Sequence, residues 1–432
     1  METYDGAWVN AQVARTVDAW HECAAAPNHD GRHYSSSEQD VRERAYDDAL
    51  FTVEKDLQSA SENESERIGL RERIVASFAN FSARALGLEG DAVTLLTREF
   101  LPVGTELARW TRQHYPGLEM GDIVQAARNA WTACGLQPLL GARVELTPSI
   151  LGYSLLYPHS DNYLDDVTIP FETKLRFSQR FRCRLAGEKL SAADDREGAI
   201  WRLISLIEGQ YPRSHFPQVF ECLLAIHEAQ ERSIDQLHHE HSRGDEDFLR
   251  LSCAKGGASV LADACLAHGS LSQEQSRFAF DWGVLLQLGD DLQDLHDDIR
   301  RGSNTLFSRA AAKGAPLDSL ALQLLNFSEK VGRRMENLPH GTETLKTLLK
   351  VSWRSLIIRA VADSHSFFSS SFVREAERCS PFRFDFLRAR QARLASRQGL
   401  YETLFGVLLD AGQELATPDP DFVKPSVSLA PL

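Results

Sequence analysis

The densest concentration of reactive side chains lies in DWGVLLQLGDDLQDLHDDIRRGSNTLFS, residues 281–308. At 100° per residue, Gln287, Asp290, Asp291, Asp294 and Asp298 share one helical sector of roughly 100°, and Leu285, Leu288, Leu292, Leu295 and Ile299 share another of roughly 80°. Asp290 and Asp294 are four positions apart, so their carboxylates stand one turn apart on one side, where like charges repel. Asp is also a weak helix former, so the stripe costs stability unless cations sit on it. Hard divalent cations prefer carboxylate oxygens, and Mg2+ typically takes one or two carboxylates plus substrate phosphates. The ordinary alternative is a solvated charged face. Against it, no Lys or Arg joins the stripe before Arg300 and Arg301. An EF-hand is excluded, because Leu292 falls where a ligand is needed and no Gly takes the sixth loop place.

A second acidic pair stands in ILGYSLLYPHSDNYLDDVTIP, residues 150–170, where Asp161 and Asp165 are again four apart. Ile150, Ser154 and Tyr157 precede them on the same helical side, so the acids cap an apolar stripe. Two such helices face to face would oppose carboxylates across a mouth above a greasy pocket, which suits an anionic head on a long apolar tail. Pro158 is expected to kink or break this helix.

These segments need long helices to position them. Apolar spacing of three and four predicts helices over 42–60, 65–87, 121–136, 148–166, 196–209, 217–239, 246–268, 273–300, 316–337, 342–363 and 385–411. Turn clusters such as YPG at 115–117 and LPHG at 338–341 separate them, and no period-two apolar run marks a strand. The expectation is an all-α bundle. The polar run 29–40 reads as an exposed loop and 416–432, with four prolines, as a disordered tail. Residues 1–140 read as an N-terminal helical extension packed on a helical domain over 141–415.

Composition narrows the function classes. The 432 residues carry 61 acids against 47 bases, a net charge of -14, which argues against a nucleic-acid partner. Seven irregularly spaced cysteines fit free, mostly buried thiols in a reducing compartment. No secretory signal and no apolar stretch of membrane-spanning length is visible, so the expected location is cytoplasmic. His238, His239 and His241 read as a solvated turn, and His227 with Glu228 and Glu231 takes no catalytic role. Walker, Rossmann and nucleophile-elbow motifs are absent.

Taken together, the two acidic segments resemble the class I isoprenoid synthases, the trans-prenyl diphosphate synthases and terpene synthases. The family's second Asp-rich motif reads here as Gly283, Leu286, Gln287, Asp290, Asp291 and Asp294, with Leu286 in place of an aromatic. LSCAKGGASVLADACLAHG, residues 251–269, is similar to the family's lysine-bearing helix and puts Lys255 at the diphosphate-binding position. NTLF at 304–307 follows the motif as Thr-Leu often does in the family. The first motif departs from the family: Asp161-Asn162-Tyr163-Leu164-Asp165-Asp166 has no arginine pair after it, and Lys174, Arg176 and Arg180 follow instead. The Gly-Gly-Lys-x-x-Arg-Pro element of chain-elongating enzymes and the Asn-Asp…Ser…Glu triad of the usual cyclases are both absent. The likeness runs from about residue 145 to 310.

The resemblance implies an antiparallel class I isoprenoid synthase bundle with extra N- and C-terminal helices. It implies three Mg2+ held by Asp161, Asp165, Asp290, Asp291 and Asp294, with Asp161, Asp165, Asp290 and Asp294 as the catalytic carboxylates. Lys255, Gln287, Arg176, Arg180, Arg300 and Arg301 would contact the diphosphate of an allylic prenyl substrate, and Tyr153 and Tyr157 would line the cavity. Metal-assisted ionisation would release diphosphate and leave a cation for aromatic walls to stabilise. A terpene synthase giving a hydrocarbon or alcohol is the leading expectation. A chain-elongating or head-to-head prenyltransferase and a non-catalytic helical partner are the alternatives. Homodimers are common among such relatives.

Overall fold

Helix-forming spacing dominates the molecule as folded. The structure is a computed structural model that describes residues 7–24, 31–58, 63–88, 90–166, 168–238 and 244–409. Every regular element among the described residues is a helix. The first third comprises α1 (Ala7–Ala24), α2 (Ser36–Gln58), α3 (Glu64–Phe81), α4 (Gly90–Thr94), α5 (Leu101–His114) and α6 (Met120–Leu139). Wider π-helical stretches, Ser82–Leu86 and Leu95–Phe100, flank α4. The middle holds α7 (Pro148–Asp165), α8 (Phe171–Leu185), α9 (Asp195–Gln210), α10 (Pro217–His238), α11 (Asp245–His268) and α12 (Gln273–Gln293). The remainder is α13 (Leu295–Arg301), α14 (Leu306–Ala312), α15 (Asp318–Glu336), α16 (Glu343–Asp363), α17 (Ser370–Arg378), α18 (Phe384–Ala395) and α19 (Gln398–Leu409).

Some expectations are revised, and the single helix expected over 385–411 is two, α18 and α19. The loop expected over 29–40 gives way to α2 at Ser36. There the Glu38 carboxylate accepts from the Ser35 N–H at 2.8 Å and the Ser35 hydroxyl accepts from the Glu38 N–H at 3.3 Å, a reciprocal cap. Pro158 does not break α7, which continues through it to Asp165. The helix expected over 273–300 breaks at Asp294 (φ -88°, ψ 8°), whose carbonyl accepts from the N–H groups of Asp297 and Asp298 and so starts α13. The tail at 416–432 and the 239–243 turn lie outside the described residues.

Glycines set the tightest seam. A Cβ on Gly283 of α12 would lie 2.0 Å from the Gly256 carbonyl oxygen of α11, and one on Gly257 would lie 2.4 Å from the Phe280 ring. The two backbones therefore touch, and only glycine permits it. Asp281, 1% exposed, fixes α12 to two further helices. It accepts from Thr16 at 2.6 Å and pairs with Arg15 of α1 at 3.1 Å and Arg334 of α15 at 3.0 Å. An ion-pair ladder joins the chain's two ends. Arg383 reaches Asp40 and Glu43, Arg390 reaches Asp47, and Arg393 and Arg397 reach Glu54, tying α2 to α18 and the turn after it.

The boundary expected at residue 140 falls between two packed helices, because α6 lies directly against α7 and α11. No helix is long and apolar enough to cross a membrane among the described residues. The cysteines are free, and Cys23, Cys134, Cys222, Cys253 and Cys265 are buried.

Candidate active site

Helix α6 organises the site. Its Asp122 accepts from the Asn162 amide at 3.0 Å near the end of α7, and one turn and more deeper its Asn129 donates to Ser154 at 3.2 Å, so α6 and α7 run antiparallel. Along α12, Trp282 lies opposite Gly135, whose Cβ would meet the indole at 3.7 Å, while the Arg128 charge reaches Asp290. The acid-bearing ends of α7 and α12 thus flank the same half of α6, at points six residues, roughly 9 Å, apart along it.

The aspartates of α12 divide by direction. Asp290 and Asp294 open onto solvent, whereas Asp291 is buried toward α11. Both Asp291 oxygens are engaged, one by Gln287 at 2.8 Å and the other by Ser252 at 2.8 Å. Burial raises Asp291 to about 6, opposed by those two hydrogen bonds and the Lys255 charge. Desolvation also raises Asp290 to about 6 although it reaches solvent; Asp294 adds to the rise, and Arg128 and Lys255 oppose it. Asp298, beyond the break, is likewise pushed up to about 6 by desolvation and by Asp291, against a hydrogen bond with Thr305. Lys255 is exposed on α11, one turn from Ser252. The result is a carboxylate cluster with two cationic neighbours.

Below this rim, the same face of α12 turns apolar. Leu286 and Trp282, one and two turns before Asp290, line a cavity of about 760 Å³. Trp131, Thr132 and Gly135 of α6 line the adjoining part of the wall, continuing the face that carries Arg128. Phe78, Phe81, Leu96, Phe100, Leu349 and Trp353 complete much of the surface, with Leu404 and Leu408 of α19. A second groove of about 1130 Å³ shares Phe78, Leu96, Leu286, Leu348, Ser352 and Trp353 with the first.

The other expected site residues are placed as follows. Asp291, expected as a metal ligand, has one oxygen bonded by Gln287 of its own helix and the other by Ser252 of α11. Gln287, expected at the diphosphate, is the residue that holds it there. Tyr153 does not line the large cavity; it borders a 30 Å³ void with Ser160, Phe181 and His227 on the far side of α7. No described residue of α7 lines the large cavity. Arg180 is committed to Glu197 at 2.7 Å and to the Ser191 carbonyl at 2.7 Å, and Arg300 to Asp297. Arg176 is exposed on α8, and Arg301 lies near enough to Asp298 to lower it. The side chains of Tyr157, Asp161 and Asp165 lie outside the described residues, although α7 carries their backbone. Arg128 and Ser252 carry no motif of their own, and only the packing of α6 and α11 reveals them.

Comparison with protein-family models, with curated proteins and with solved structures gives no match.

Proposed function

We propose that the protein is a class I terpene synthase, ionising one allylic prenyl diphosphate to give a terpene hydrocarbon or alcohol plus diphosphate. One observation carries the reading: a single face of α12 passes from Trp282 and Leu286 in the cavity wall to Asp290 and Asp294 at the surface, with Arg128 and Lys255 beside them. An apolar chamber under a mixed acidic and basic rim fits an amphiphile with an anionic head.

The donor set suits a hard divalent cation, since it is all carboxylate oxygen and Asp290 and Asp294 repel each other. Asp290 and Asp294, with Asp161 and Asp165 from α7, would hold Mg2+, three ions by the resemblance. Bound there, Mg2+ supplies Lewis-acid stabilisation of the charge on the leaving diphosphate. Lys255 and Arg128 contribute direct contacts to that diphosphate, Arg128 with a planar fork that matches two oxygens at once. Asp291 orients α12 through Gln287 and Ser252 rather than touching substrate. In the chamber, the faces of Trp131, Trp282, Trp353 and Phe100 attract an allylic cation through their ring quadrupoles, while the apolar wall excludes bulk water.

A two-substrate prenyltransferase is the second reading, favoured by the groove that shares Leu286 and Trp353 with the chamber. Incubation with Mg2+ and C10, C15, C20 or C25 allylic diphosphates, with and without isopentenyl diphosphate, separates them. Hydrocarbon or alcohol from one substrate alone is expected. Longer diphosphates formed only with the co-substrate favour the second reading, and absence of turnover favours a non-catalytic helical protein. Asp290→Ala is expected to lower turnover at least ~10²-fold with helicity retained. Asp297→Ala, which only frees the exposed Arg300, is expected to stay within a few-fold.

A further inference from the structure

Away from the chamber, a second group of donor atoms gathers where the segment before α2 meets α17. Among the described residues, His33, Glu375 and Cys379 each bring a ligand atom to within 4.8 Å of the others. Glu375 and Cys379 are four residues apart at the end of α17, so they share one helical side. His33 reaches them from the other segment, its Nε2 lying 2.9 Å from Glu375 Oε1. Backbone contacts on either side set this meeting. The Tyr34 N–H donates to the Arg378 carbonyl at 2.8 Å, and the Gln39 amide donates to the carbonyls of Glu377 and Ser380, each at 3.1 Å. His33 and Glu375 are exposed, and Cys379 lines the groove of about 1130 Å³, so an ion can reach the group from solvent.

We propose that these three side chains bind one Zn2+, clasping the segment before α2 to α17. Imidazole nitrogen, carboxylate oxygen and thiolate sulfur together make a zinc donor set, whereas Mg2+ takes oxygen. In a tetrahedral zinc site the donor atoms stand roughly 3.4–3.6 Å apart. The 2.9 Å between His33 and Glu375 and the 4.8 Å limit on the whole set bracket that spacing, so small rotamer shifts of surface side chains close it. On binding, Cys379 releases its thiol proton to solvent, and the His33 ring proton moves to Nδ1. Arg378, itself exposed, donates to Glu375 Oε2 at 3.0 Å and contacts His33 Nδ1 at 3.3 Å. It keeps the first contact and gives up the second. A water takes the fourth position, as at open zinc sites. The group shares no residue with the carboxylate cluster of α12, so it stands or falls apart from the synthase reading.

The test uses the full chain, reduced and freed of metal, in excess Mg2+ to fill carboxylate sites. It is titrated with Co2+ as a spectroscopic stand-in and then with Zn2+. One equivalent of Co2+ is expected to give a thiolate-to-metal charge-transfer band, which Zn2+ abolishes. Cys379→Ser is expected to remove the band and His33→Ala to weaken binding at least ~10-fold. Cys183→Ser, at the other partly exposed thiol, is expected to change neither. On the native chain, Zn2+ is expected to slow alkylation of Cys379 by iodoacetamide, read by peptide mass spectrometry, which decides the question even if a variant fails to fold. Absence of the band, a band that survives Cys379→Ser, or alkylation of Cys379 unchanged by Zn2+ overturns the site. Undiminished affinity in His33→Ala overturns the clasp, because the ion then does not join the two segments.

Discussion

Two neighbouring aspartates have opposite duties because adjacent helical positions differ by about 100° in direction. Asp290 faces outward beside Arg128, while Asp291 faces α11 and ties it to α12. The sequence makes the acid stripe legible through its spacing, but it does not say which acids are already spoken for. That depends on Ser252 and the glycine seam, which belong to another helix. Arg128 was illegible for the same reason. A further buried acid, Asp263, is 1% exposed, with Asn129 donating to it at 3.3 Å. Burial pushes its carboxyl well above the ordinary carboxylate range, against that one hydrogen bond. The folded chain thus keeps a proton that the unfolded chain releases above about pH 4, so this contribution to stability is present at low pH and lost as pH rises, by about 1.4 kcal/mol per unit. Asp263→Asn has no proton to lose. Its urea midpoint relative to the native protein should shift in the variant's favour between about pH 5 and pH 8, and a pH-independent difference would refute the assignment.

At the scale of elements, most long helices were readable because their apolar stripes repeat at three and four. Those left out of the reading fall into two kinds. Helix α1 carries a clear stripe, Val9, Val13, Val17 and Trp20, within an otherwise polar N-terminal segment. Helix α8 is crowded with arginines, so its charges obscure the buried Phe177, Phe181 and Leu185. The break at Asp294 has no glycine or proline to announce it. The α11–α12 seam gives a direct prediction. Gly283→Ala forces a methyl against the Gly256 carbonyl and is expected to cost about 1–3 kcal/mol in urea unfolding, with loss of the Lys255–Asp290 register and so of turnover. The ladder gives another. Glu54, 4% exposed, faces Arg393 and Arg397, so Glu54→Ala should cost about 1–3 kcal/mol. Asp47→Ala, at a more exposed pair, should cost no more than about 1 kcal/mol by the same measurement.

For the whole molecule, the chamber is assembled from both ends of the chain. Tyr46 and Phe81 come from the N-terminal helices, and Trp353, Leu404 and Leu408 from the C-terminal ones, around a wall of α6 and α12. A chain ending at Arg383 lacks α18 and α19, and with them Leu394, Leu404 and Leu408 of the lining, and should bind an apolar fluorescent probe more strongly than the full chain through the uncovered cleft; unchanged binding would show that these helices are not walls. Because α11 and α12 lie more than 100 residues ahead of α19, a growing polypeptide leaving the ribosome completes its acidic helices well before the last staves of the barrel exist. Until α19 docks, the indoles of Trp131, Trp282 and Trp353 have no lid, and the newborn protein presents a greasy cleft to whatever stands nearby.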